Sequence, residues 1–208
     1  MKKLFFLLSF TFLGTVYAQD AIEYKTPPKE IFDLVMAKPS PGVSIDTKGE
    51  WMLIMERSAM PSIEELAQPE LRIAGLRINP NNFGPSRSAY TIGIRLKNIK
   101  TNTESTITGL PNGIKAGNFQ WSPNDEKIAF TNTTNSSIDL YLIDVKQKKA
   151  TKINKLPVNT VMGGAFEWYD NTSILYLAAP KPSSEAPKKL LAPKGPTVQQ
   201  NLGKVAAS

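Results

Sequence analysis

Apolar residues along this chain fall mostly in short alternating runs separated by polar corners. Three stretches share one layout: VSIDTKGEWMLIMER, FQWSPNDEKIAFT and AFEWYDNTSILYLA each set an apolar run, a turn of small or polar residues, and a second apolar run. This predicts hairpins whose second strands cover 51–55, 127–130 and 174–177, with Ile45, Trp121 and Trp168 at one equivalent position. Further strands are predicted over 90–99 and 138–144. After Asp144 a basic turn leads to an outer strand ending near Ile153.

A corner followed by four strands in antiparallel order is one blade of a β-propeller. The spacing from Trp121 to Trp168 is 47 residues, within the roughly 40–50 typical of blade repeats. From Ile45 to Trp121 it is 76 residues, so the first repeat carries an insertion, placed at about 58–88, in which Ser62 caps a short helix. A β-sandwich uses similar hairpins, but the threefold recurrence favours the propeller. The fold expected is all-β: an open, partial β-propeller of four-stranded blades over 41–179, with two blades and part of a third. Closed rings use about four to eight blades, so this many cannot close. TPPKEIFDLVMAKP adds a short helix near 28–37 within an entry segment, 19–40.

The two ends differ from this pattern. Two lysines, an apolar run from Leu4 to Val16 and small residues before Ala18 make 1–18 a secretory signal peptide, cut between Ala18 and Gln19. The apolar run is too short for a membrane span, which needs about 20 residues, so no stable span is expected after cleavage. Export places the chain in a periplasmic or extracellular compartment, yet it has no cysteine and must be held by burial alone. Removing the leader lowers the formal charge from +7 to +5, and the Pro/Lys-rich tail 180–208 holds +4 of that. The basic balance therefore belongs to a tail of mobile composition rather than to a folded face, which argues against nucleic acid as a partner.

Several segments together resemble one family: YKTPPKEIFDLV, RSAMPSIEELAQPELRIAGLRINP, FGPSRSAYTIGI, LPNGIKAGNFQWSP and APKGPTVQQNLGK. They are similar to the N-terminal propeller region of the glutamyl-endopeptidase-like branch of the prolyl oligopeptidase family. IEELAQPELRIAGLRI is the specific part, since WSPNDEKIAF fits any TolB-type propeller. The resemblance implies a serine peptidase in which a propeller gates peptide access to a C-terminal α/β-hydrolase domain. It also implies a peptide substrate and a cation for an acidic side chain, for which Arg87, in GPSRSAY, is the candidate.

The residues present do not encode that chemistry. Acyl transfer by a triad needs a histidine and a serine at a sharp elbow, and the chain has no histidine, no G-x-S-x-G and no S-x-x-K. Without His or Cys no metal site is expected, and no cofactor is expected either. Glu64 and Glu65 are adjacent on a short helix and point in different directions, as a solvated face does. Gly163-Gly164 precedes a strand and suits a tight turn. The expectation is a peptidase fragment without a catalytic domain, its final Val-Ala-Ala-Ser departing from the family. The alternatives are a free-standing exported propeller module that binds a protein, or an accessory chain that takes a partner by strand addition at its open blade edges.

Overall fold

The computed structural model describes residues 26–179. The predicted leader with its Ala18–Gln19 cleavage point, and the tail, lie outside the described residues. Near the start, helix α1 (Lys29–Val35) follows Pro28, whose φ of −49° suits a helix entrance. It is shorter than the predicted 28–37, ending at Met36, whose N–H bonds Phe32 O at 2.9 Å. No described helix is long and apolar enough to cross a membrane.

From residue 42 onward the chain builds antiparallel sheet. Strands β1 (Gly42–Ile45), β2 (Trp51–Arg57), β6 (Thr91–Asn98) and β7 (Thr103–Thr106) lie side by side as a first blade. Strands β8 (Ala116–Trp121), β9 (Lys127–Thr133), β10 (Ile138–Asp144) and β11 (Lys149–Lys152) make a second. One residue pair, Thr91 with Ala116, joins the two ladders. Strands β12 (Phe166–Trp168) and β13 (Ile174–Tyr176) form a separate hairpin, the opening of a third blade. The architecture is thus an open series of propeller-like blades, as the repeat predicts.

Alternation decides which residues meet between blades. Leu53, Ile94 and Leu96 of the first blade bury against Ile128, Phe130 and Ile143 of the second. On the other side, Ala129, Ile138 and Leu140 pack with Val158 and Phe166, and Trp168 and Tyr176 close over them. The middle blade is therefore apolar on both faces, unlike the one-sided alternation of a sheet facing water. Phe119, Phe130 and Tyr141 stack across three successive strands, with ring centroids 5.4 Å apart in each pair.

The tryptophans at the ends of the first strands tie each blade to the one before. Trp121 Nε1 donates to Ser44 Oγ at 3.0 Å, and Trp168 Nε1 donates to Gln120 O at 3.4 Å. Their equivalent in the first blade, Ile45, is half exposed. The Ser122-Pro-Asn-Asp corner is closed by the Asp125 N–H on Ser122 O at 2.9 Å and the Lys127 N–H on Ser122 Oγ at 2.9 Å. Asp125 takes φ +63°, a left-handed conformation that Asp tolerates in turns, and accepts from Thr47 Oγ1 of the first blade's corner. At the outer joint Gly109 is obligatory, because a Cβ there would meet Ala150 O at 2.3 Å and φ is +76°.

Phe130 is fully buried at the centre of the aromatic stack. Phe130→Ala should cost about 3–5 kcal/mol of stability, read from urea melts of the purified chain; a loss below about 1 kcal/mol would show that this core is not the one described.

Candidate functional site

The segment between β2 and β6 leaves the blade and returns with its own small structure. Ser62 accepts from the Glu65 N–H while the Glu65 carboxylate accepts from the Ser62 N–H, a capping box that starts helix α2 (Ile63–Leu66). A three-stranded sheet follows: β3 (Leu71–Ile73), β4 (Leu76–Asn79) and β5 (Gly84–Pro85). The β3–β4 turn is made by Ala74 at φ +49° and Gly75 at φ +84°.

That turn sets Arg72 directly opposite Arg77. Like charges facing each other across a ladder repel, and Glu70 resolves the conflict. Its Oε1 takes Arg72 Nε at 2.9 Å and Arg77 Nη1 at 3.1 Å, while its Oε2 takes Ser86 Oγ at 2.8 Å and Arg87 Nε at 3.1 Å. The Ser86 hydroxyl and the Arg72 hydrogen bond, helped by the Arg77 and Arg87 charges, hold the Glu70 carboxyl down at about 2 against an ordinary 4.5.

The insertion spans more than its own blade. Lys115, ahead of β8, pairs with Glu65 at 3.0 Å. Asn135, just beyond β9, accepts from Gln68 at 3.1 Å and donates to Glu64 at 3.2 Å. Buried Asn82 donates to Thr134 O at 3.1 Å, and Phe83 O accepts the Thr160 N–H at 3.0 Å. Glu64 and Glu65 thus contact different groups, consistent with the sequence reading that they do not act together.

Between this strap and the blades lies a cleft of about 270 Å³, lined by Met60, Leu66 and Tyr90, by Arg57 and Arg87, and by Lys115 and Thr134 among others. A second cavity of about 210 Å³ sits beside it, over the β8 bulge at Gly117 and Asn118. Arg87, the residue singled out from the sequence, is on the cleft wall in a left-handed conformation, φ +59°. It is not an isolated cation, because Glu70 engages its Nε. Arg57, which the sequence did not single out, lines the same cleft and has no carboxylate or hydrogen-bond partner among the described residues. Among those residues no group of three or more His, Cys, Asp or Glu side chains is placed to hold a metal ion.

No family model matches the chain. Two curated relatives do: a probable glutamyl endopeptidase, chloroplastic, of Oryza sativa subsp. japonica, 29% identical over 191 residues, and its counterpart of Arabidopsis thaliana, 30% identical over 190. Over this stretch the chain is similar to glutamyl endopeptidases. Each match covers 86% of this chain and 20% of the relative, so the chain spans about a fifth of the relatives' length. A solved structure described as a dipeptidyl aminopeptidase IV from Bacteroides ovatus aligns with a TM-score of 0.40 and 12% identity, over 66% of this chain and 20% of that one. The glutamyl-endopeptidase-like character therefore rests on sequence, distributed over nearly the whole chain.

Ionised Glu70 holds the strap together, so the sign of its pH dependence is fixed. Its folded pKa lies below the ordinary 4.5, so its stabilising contribution is fully present above about pH 4.5 and is lost as pH falls toward about 2. Amide protection of residues 71–79 should fall across that window in the natural chain. In Glu70→Gln it should be low already at pH 6 and flat below; an unchanged profile in the variant would show that Glu70 is not the clamp.

Proposed function

We propose that this chain supplies the opening propeller blades of an exported serine peptidase of the prolyl oligopeptidase family, and that these blades restrict peptide access to an α/β-hydrolase domain. The observation that carries the reading is the identity of about 30% to glutamyl endopeptidases across 86% of the chain. The peptide-bond chemistry must come from residues outside this sequence, since a Ser-His-Asp mechanism needs a histidine and there is none here.

What these residues contribute is enclosure. Blades seal side to side through apolar faces, and the strap over the first two narrows the approach to a cleft that admits side chains or an extended segment. The flank of the third blade, where Leu175 and Leu177 are exposed, is where further strands of the ring would add, by the pairing that open edges favour. Arg87, with only its Nε engaged by Glu70 among the described residues, stays a contributor to recognition of an acidic side chain. The leader ending at Ala18 is read as the export signal.

Two assays test the reading. The purified chain should not hydrolyse Z-Leu-Leu-Glu p-nitroanilide. A chimera of the Arabidopsis relative, in which residues 26–179 replace the matched stretch and folding is checked by its melt, should cut short peptides within about tenfold of the parent rate and leave folded proteins intact. Hydrolysis by the chain alone, or a folded chimera that cuts both substrates alike, overturns the proposal.

A further inference from the structure

The cleft under the strap has an uneven charge balance. Its walls carry three cations, Arg57, Arg87 and Lys115, and two carboxylates, Glu65 and Glu70. Both carboxylates are already committed, Glu65 to Lys115 and Glu70 to three arginines. Arg57 is the cation left over. A guanidinium holds its charge at any working pH and presents its donors as a planar fork that matches a carboxylate.

Local structure places Arg57 deliberately. The β2–β6 ladder shifts register between Glu56 and Arg57, and a bulge of this kind re-aims the side chain beside it. The guanidinium then lies across the start of β1: a Cβ added at Gly42 would sit 3.3 Å from Arg57 Nη2. Glycine at that position leaves the room in which the fork rests. Neighbouring Glu56 is drawn away to Arg95 at 3.2 Å, so the adjacent carboxylate does not neutralise Arg57. Met60, Leu66, Tyr90 and Ile92 supply an apolar wall on the same cleft.

We infer that this cleft is a subsite for a peptide carboxylate flanked by apolar residues, with Arg57 as its principal cation and Arg87 as a secondary one. The inference rests on the peptidase-propeller reading for the identity of the ligand as a peptide. Its charge and apolar requirements come from the cleft itself. A volume of about 270 Å³ is at the small end for ligand sites, which suits one or two side chains and excludes a folded partner. The carboxylate belongs either to an acidic side chain or to a peptide C-terminus, two sources of the same chemistry.

The test is calorimetric titration of the full purified chain with three peptides: Ac-Leu-Leu-Glu-NH2, Ac-Leu-Leu-Gln with a free C-terminal carboxylate, and neutral Ac-Leu-Leu-Gln-NH2. At least one carboxylate peptide should bind about tenfold or more tighter than the neutral one, and the stronger of the two names the source. Arg57→Met should bring it to the neutral level, Arg87→Met should weaken it less, and added salt should erode the preference. Arg57 is exposed and unpaired, so the Arg57→Met melting curve should overlay that of the natural chain. Equal binding of all three peptides, binding of none, or an undiminished preference in Arg57→Met overturns the inference. None of these readouts involves hydrolysis. A failed chimera with Arg57-dependent binding intact would reject the gating role and leave the subsite standing, and the reverse result would reject the subsite alone.

Discussion

The constraint on which the molecule depends is that its sheets are apolar on both faces. A four-stranded sheet with one wet face can stand on a single layer of packing, but the second blade here buries Phe130 and Ile128 toward one neighbour and Leu140 and Ile138 toward the other. Each fully buried side chain of this size is worth about 1.5–3 kcal/mol, and in a chain without disulfides nothing else supplies that stability. The backbone ladders contribute little across the joint, where one residue pair links β6 to β8. Side-chain packing and two indole donors therefore do what a continuous sheet would do elsewhere.

The strap over the cleft obeys a different logic. Its apolar residues are largely exposed, with Leu71, Ile73 and Leu76 on one face of the β3–β4 hairpin, while the arginines on the other face converge on one carboxylate. Polar convergence is directional where hydrophobic burial is not. Glu70 accepts from three elements at once, so it fixes where Arg87 sits and, indirectly, the wall of the cleft that Arg87 forms. Exposed ion pairs singly are worth little; a network that also cancels a repulsion between facing arginines has a larger structural effect.

What the chain's pattern disclosed and what it hid divide by range. The hairpin strands, the corner and the helix cap were legible because alternation, turn residues and the Ser-x-x-Glu box act within a few residues of each other. Strand β7, Thr-Glu-Ser-Thr, carries no apolar signal and is positioned only by pairing with β6. The insertion's sheet escaped notice because its strands are two to four residues long and its turn uses an alanine in a left-handed conformation. Glu70 meets Arg87 across 17 residues, and Arg57 owes its placement to a bulge; neither relation leaves a local mark. Arg87 stood out as a lone cation in polar sequence, and its partner is visible only in three dimensions.

The indole contacts run in one direction along the chain. Trp121 reaches back to Ser44 and Trp168 reaches back to Gln120. A nascent polypeptide emerging from its amino end would meet each anchor already in place before the residue that grips it appears. Docking can then proceed in step with translation or translocation, one slice at a time, with the newest apolar flank as the only one awaiting cover at the growing end.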